Sequence, residues 1–364
     1  MDLSGRISEI ASDAGLAGLG VCSAEPFVDV QAQLEGRLAS GFTGSLKFTF
    51  ADPHAATDVR SSFPWAQCLV VGAWAYLPAA GDPGPSRPGT GRVARFATEN
   101  HYRGLRSGLG LIATALRDAG YEAEVLVDDS RLVDRAAAVR AGVGWWGKNT
   151  MVLAPRFGPW LLLGSVVTDA PLPTTNPMQR DCGTCSACIP ACPTGALVAP
   201  GVLDATRCLA YWAQAPGAIP VEFRAAMGDR LYGCDDCLDA CPPGHRLLEE
   251  ASTNGEGRVA ISDVLGADDA TLLARFDHFY VPRRQARYLR RNALVVLGNS
   301  ERSDAIGVAA GFLGHPDWLL RVHAAWALGR ISDSRAHAAL SHQLGFEREA
   351  AVKAEIYSAL TSTG

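Results

Sequence analysis

The sequence predicts an α+β multidomain protein: an α/β domain, a cysteine-bound module and a C-terminal array of α-helices. Three observations predict it. In residues 1–175 short apolar runs alternate with helical patterns; eight of the ten cysteines fall in the interval 182–241; and a helical segment at 290–298 returns 31 residues further on. A chain of 364 residues exceeds what one hydrophobic core ordinarily organises, so two or three domains are expected. No apolar run reaches the roughly 18 residues of a spanning helix, and residues 1–6 carry no apolar signal-peptide core. The expectation is a cytoplasmic protein without membrane association. A net charge of −5 argues against general affinity for nucleic acid and leaves room for a local basic surface.

In chain order, residues 7–19 read as a first helix, 68–74 as a buried strand, 102–119 as a helix, and 124–127 and 160–167 as further strands. The Gly/Pro-rich stretch 81–89 is a loop. A proline-punctuated linker at 171–177 leads into the cysteine region, which runs to about residue 250, and 252–257 forms a second boundary. The expected domains are therefore 1–175, 176–250 and 258–364.

The first cysteine burst, Cys182, Cys185, Cys188 and Cys192 followed by Pro193, has the C-x2-C-x2-C-x3-C-P spacing of bacterial ferredoxins, whose fourth cysteine ligates the other cluster. The second burst, Cys234, Cys237 and Cys241 followed by Pro242, is the same run with Leu231 at its first position. Cys208 replaces the missing ligand. Two 4Fe-4S clusters follow, one on Cys182, Cys185, Cys188 and Cys241, the other on Cys192, Cys208, Cys234 and Cys237. A zinc site would use four ligands and leave four cysteines idle, and a disulfide framework belongs to short secreted chains. Cys22 and Cys68, beside valine and leucine runs, read as buried free thiols. Clusters imply one-electron chemistry, which side chains do not perform unaided.

In the last third, Arg290–Gly298 is echoed by Arg321–Gly329 and more weakly by a segment ending at Ala359-Leu360. Small residues alternating with leucine suit helix pairs that bury a core by stacking, as in HEAT-like repeats. Residues 281–330 hold eight Arg, no Lys and three acids, net +5. Arg283, Arg287 and Arg290 would share a helical face with Arg284 and Arg291 adjoining, a geometry suited to phosphate. A solvated helix face with acidic neighbours is the plainer reading.

Gly142, Gly144 and Gly147 satisfy G-x-G-x-x-G, but an alanine-rich helical stretch precedes them and tryptophans fill the variable positions, so a dinucleotide site is rejected. Gly144-Trp145-Trp146-Gly147-Lys148-Asn149 reads instead as a turn lining something large and flat, or as a connection with buried tryptophans. A carboxyl with a raised pKa serves as general acid when oxygen is expelled; composition leaves Asp128, Asp129 and Asp134 open for that role, and Asp134 doubles as a helix-start carboxylate.

Taken together, Arg95-Phe96-Ala97, Asp134-Arg135, Gly144–Thr150, Leu163–Asp169, both cysteine runs, Arg207-Cys208 and Gly233-Cys234-Asp235-Asp236-Cys237 resemble the epoxyqueuosine reductase family over nearly the whole chain. The resemblance implies an α/β cobalamin-binding domain related to that of reductive dehalogenases, a ferredoxin-like module with two 4Fe-4S clusters, and HEAT-like repeats. It implies two-electron deoxygenation of the epoxide on the modified wobble nucleoside of tRNA, the last step of queuosine biosynthesis. Electrons would come from a flavodoxin-type reductase partner through the clusters to cobalamin in a monomeric enzyme. Asp134 becomes the proton donor, the corrinoid lies near Ala97, Asp134, Lys148, Asn149 and Asp169, and Arg283, Arg284, Arg287, Arg290 and Arg291 face tRNA. The chain departs from the family at Asn100-His101-Tyr102 and at Pro243-Gly244, and after Asp52-Pro53-His54 it lacks the glycine of the D-x-H-x-x-G cobalamin signature. A corrinoid reductase of small molecules and a non-catalytic electron carrier are the rival classes.

Overall fold

A computed structural model describes residues 2–77, 84–251 and 257–361. The chain forms two compact units that interleave in sequence: residues 1–80, 99–206 and 235–252 make the first, and 81–98, 207–234 and 253–364 the second. Of the loop expected at 81–89 and the boundary at 252–257, residues 81–83 and 252–256 lie outside the described residues.

The first unit is built on a four-stranded sheet in the order Gly18–Ser23, Cys68–Ala75, Leu161–Thr168, Ala123–Leu126, every neighbouring pair antiparallel. Its two central strands are buried almost throughout, which is why they read as continuous apolar runs. Register sets Gly72 opposite Gly164. A Cβ on either would stand 2.9 or 2.8 Å from a δ-carbon of Leu109, so this glycine pair opens the notch in which the helix Tyr102–Asp118 seats Leu109. Cys22 and Cys68 are buried in this unit's core as expected, and burial pushes the Cys22 thiol up to about 12.

The first helix differs from the expectation. It spans Leu3–Asp13, with the Asp2 carboxylate accepting the Gly5 amide at 2.8 Å. Gly15 adopts φ +74°, turning the chain so that residues 18–23 become an edge strand rather than the helix end.

In the second unit a three-stranded sheet places Thr90–Val93 between Arg230–Tyr232, parallel to it, and Arg258–Ala260, antiparallel. Val93, Leu231 and Ile261 share one core with the helices Arg287–Asn299, Trp318–Gly329 and Ala350–Thr361. The sequence echoes lie on these three helices. A Cβ on Gly298 would stand 2.7 Å from Ala327 Cα, and one on Gly329 2.5 Å from Ala359 Cβ, so each repeat's glycine admits the next repeat's alanine. Gly329→Val is expected to overpack this contact and cost about 1–3 kcal/mol; denaturant unfolding that matches the wild type would contradict the close-approach role. Among the described residues no helix is long and apolar enough to cross a membrane.

Candidate active site and cluster-binding segments

Asp134 is the first residue of the helix Asp134–Arg140. Its Oδ1 is buried and has no hydrogen-bond partner among the described residues. Burial, reinforced by the charges of Asp128 and Asp129, pushes its carboxyl well above the usual carboxylate range. Burial also raises Asp128, whose backbone takes a left-handed φ of 53°. Asp129 goes the other way: Arg131 grips it in a fork at 2.9 and 2.7 Å and holds it ionised. The three carboxylates that composition leaves equivalent are thus separated: Asp129 is held down, Asp128 is raised, and Asp134 is raised well above the usual range.

Two neighbours of this acid have no sequence signal that links them to it. Burial, then the charges of Asp128 and Asp134, pushes the Tyr102 hydroxyl up. Arg135 donates to the Thr150 carbonyl at 3.2 Å, and burial pulls its guanidinium pKa down. Arg135 and Asp134 sit deep among protein atoms yet both touch solvent. Water at the accessible atoms moderates the desolvation of both groups.

The helix ends at Gly142, with φ +68°, where a Cβ would meet the Asn176 carbonyl at 2.3 Å; one on Gly144 would meet the Leu153 carbonyl at 2.3 Å. Both glycines face backbone, in keeping with the rejected dinucleotide site. Trp145–Trp146 then pairs antiparallel with Val152–Leu153. In the turn between them Lys148 Nζ donates to Gly183 O at 2.7 Å. Asn149 accepts the Met151 amide at 3.2 Å and makes a long contact of 3.5 Å from Nδ2 to Cys237 O. Lys148 and Asn149, expected beside a corrinoid, spend these bonds on the two cysteine segments. Trp146 is 42% exposed, whereas Trp145 is buried in an apolar cluster with Leu153 and Cys241, against which Cys182 packs.

Asp169 follows the strand Leu161–Thr168. Its carboxylate accepts the Glu122 amide at 2.8 Å, beside the start of the strand Ala123–Leu126, whereas Asp128 and Asp134 follow that strand's other end. Antiparallel pairing with Leu161–Thr168 therefore sets Asp169 and Asp128 about 13 Å or more apart along the sheet at roughly 3.3 Å per residue. Ala97 belongs to the second unit, where it is buried and its carbonyl accepts from His278 Nε2 at 3.0 Å.

Six of the eight spaced cysteines belong to the first unit; Cys208 and Cys234 belong to the second. Burial, then the charges of Cys182, Cys188 and Cys185, pushes the Cys241 thiol up to about 12, so the four thiols of the first proposed set lie within one another's field. Burial works the same way on Cys192, but donors at Thr194, Ala196 and Leu197 outweigh it and hold that thiol down. Among the described residues no three Cys, His, Asp or Glu side chains meet at one ion-sized point; a four-iron cluster spreads its thiolates around a cube.

Arg291 overturns its expected place on a nucleic-acid face. It is fully buried, and its guanidinium donates to the carbonyls of Ala215, Gly217 and Trp212 at 2.7, 2.6 and 2.8 Å. Asn292 Nδ2 bonds Ala213 O and Leu231 O at 2.8 and 2.9 Å. The pair fastens the segments that follow Cys208 and precede Cys234. The shared helical face is also corrected, because the helix begins at Arg287 and Arg283 and Arg284 lie in a preceding turn with φ 52° each. Arg290 pairs with Asp269 at 2.5 Å and Arg287 with Asp317 at 3.2 Å. Arg284 is exposed but donates to Leu273 O at 2.8 Å. Arg283 is exposed and, among the described residues, makes no side-chain hydrogen bond or ion pair.

Comparison with known proteins gives these features a context. The 4Fe-4S double cluster binding domain family matches residues 181–244, and the HEAT repeat family matches residues 283–361. An epoxyqueuosine reductase of Vibrio cholerae is 30% identical over 340 residues, spanning 90% of this chain and 91% of that protein. The crystal structure of a selenomethionine-labelled epoxyqueuosine reductase superposes with a TM-score of 0.90 at 29% identity, covering 100% of this chain and 99% of that one. An epoxyqueuosine reductase solved with an epoxyqueuosine-modified tRNA-Tyr stem loop gives 0.88 at 28% identity, covering 99% and 98%.

Proposed function

The chain belongs to the epoxyqueuosine reductase family, and from that membership we propose that it reduces the epoxide of epoxyqueuosine in tRNA to the alkene of queuosine. Two electrons and two protons enter, both carbon–oxygen bonds of the epoxide break, and the oxygen leaves as water. The observation that carries the reading is Asp134: a carboxyl that burial raises well above the usual carboxylate range, with a buried and unpartnered Oδ1, in the unit that also holds the first cysteine set. Asp134 delivers the proton to the departing oxygen. The charges of Asp128 and Asp129 oppose ionisation of that acid, and Arg135 works against them.

Two 4Fe-4S clusters supply one-electron transfers; we assign Cys182, Cys185, Cys188 and Cys241 to one and Cys192, Cys208, Cys234 and Cys237 to the other. Cobalamin is the second cofactor of the proposal. The orphaned Asp134 oxygen and the exposed face of Trp146 beside the turn fit a large group that brings apolar surface and a polar partner. When bound, it supplies the low-potential metal centre that deoxygenation needs. A flavodoxin-type reductase is the proposed electron donor, acting on a monomer.

The test is nucleoside mass analysis of epoxyqueuosine-bearing tRNA incubated with the reduced, cobalamin-loaded protein. Loss of one oxygen from that nucleoside is the expected result; an unchanged nucleoside in protein with full clusters and cofactor would overturn the reading. For tRNA contact, Arg283 and Arg284 remain the candidates on the exposed turn. Arg283→Ala is expected to weaken tRNA binding and lower the slope of log affinity against log salt by about one, while Arg290→Ala, already paired to Asp269, leaves that slope unchanged.

A further inference from the structure

Trp145 is buried to 6% exposure, and its indole Nε1 has no hydrogen-bond partner among the described residues. A buried N–H left in that condition forfeits its hydration without a replacement bond, so native proteins rarely leave one without a use. What surrounds the ring is specific. Cys241 and Leu153 are its buried neighbours, and Cys182 packs against the same cluster of side chains. Two of the four cysteines assigned to the first cluster therefore belong to, or pack against, the apolar cluster that holds this indole, whose donor is unspent. Arg180 stands over the ring with its guanidinium carbon 5.6 Å from the centroid. A cation on the face draws electron density from the indole and strengthens the N–H as a donor. The hairpin Trp145–Trp146 with Val152–Leu153 fixes the ring, and the Lys148 ammonium on the same hairpin ties down Gly183, between Cys182 and Cys185.

We propose that Trp145 donates its indole N–H to a sulfur of the 4Fe-4S cluster held by Cys182, Cys185, Cys188 and Cys241, and thereby raises that cluster's reduction potential. Reduction adds negative charge to the cluster sulfurs, so a hydrogen bond to them strengthens on reduction and favours the reduced state. The effect of this one donor is confined to one of the two clusters. The proposal rests on the two-cluster reading above.

The experiment is an EPR-monitored redox titration of cluster-loaded Trp145→Phe beside the wild type, with iron content measured on both. Phenylalanine keeps an aromatic ring against Cys241 and Leu153 but has no N–H. The expected result is that one cluster's midpoint falls, with the ratio of reduced to oxidised cluster dropping about tenfold at fixed potential, or about 59 mV for one electron, while the other cluster's midpoint stays in place. Two unshifted midpoints at full iron content would overturn the proposal. If Trp145→Phe loses iron, the unsubstituted protein decides: with 15N-labelled tryptophan, a nitrogen coupling to one reduced cluster is expected, and its absence overturns the assignment. Failure of the two-cluster reading is distinguishable, because the wild type would then show no pair of 4Fe-4S signals at all.

Discussion

Asp134→Asn is expected to lower turnover of epoxide-bearing tRNA by about 10²–10⁴-fold with iron and corrinoid content unchanged. Asparagine reproduces the shape and neutrality of the protonated carboxyl but carries no proton that the departing oxygen can take. The same substitution has an opposite effect on stability. Because burial and two neighbouring aspartates raise the folded-state pKa of Asp134, the folded protein holds a proton that the unfolded chain has already released. That contribution is fully present below the ordinary carboxylate pKa of about 3.9 and is lost as pH rises through the raised folded value. The variant has no such loss, so its thermal midpoint should exceed that of the wild type on the alkaline side and converge with it on the acid side. Wild-type turnover, for its part, should decline as pH rises through the folded-state value. Single-turnover nucleoside analysis and thermal unfolding across pH check both halves; wild-type turnover in the variant would remove Asp134 from the role of donor.

Arg291→Leu is expected to cost about 3–5 kcal/mol, the range for stranding buried partners of a charge. The guanidinium has no exposure to solvent, and its loss leaves the carbonyls of Trp212, Ala215 and Gly217 without their donors. A surface arginine replaced in the same way changes stability by no more than about 0.5 kcal/mol, so denaturant unfolding distinguishes a structural arginine from a phosphate-binding one. Arg291→Lys should recover only part of the loss, since one ammonium does not span three carbonyls as a planar fork does. The cluster assigned to Cys192, Cys208, Cys234 and Cys237 should become labile in both variants, because Arg291 and Asn292 hold the segments beside Cys208 and Cys234.

Much of this was legible in the sequence wherever periodicity and spacing carry the information. The strands Cys68–Ala75 and Leu161–Thr168 announce themselves because burial on both faces demands unbroken apolar runs. The helices Arg287–Asn299 and Trp318–Gly329 do so because stacking imposes a repeated glycine. Residues 18–23 escaped because an edge strand next to a glycine turn has no strong period of its own. Arg291 escaped for a different reason: composition registers a charge but not whether carbonyls already surround it. The choice among Asp128, Asp129 and Asp134 needed the Arg131 fork, a contact no spacing rule contains. The separation of Asp169 from Asp128 along the sheet was not legible either, because strand direction, and hence which end of the sheet a residue reaches, is settled only by pairing.

The interleaving of the two units has a consequence for the order in which the protein can be made. Cys68 pairs with Thr168, so the central sheet waits for a hundred residues of further synthesis before its two middle strands can meet. The first unit still lacks residues 235–252 at that point, and this final piece brings Cys241, the last thiol of the first proposed cluster. On the ribosome, where N-terminal domains ordinarily fold first, the N-terminal part of this chain emerges with three of those thiols and no fourth. Filling of the first proposed cluster therefore waits until Cys241 has been made, well after the sheet of the first unit can form.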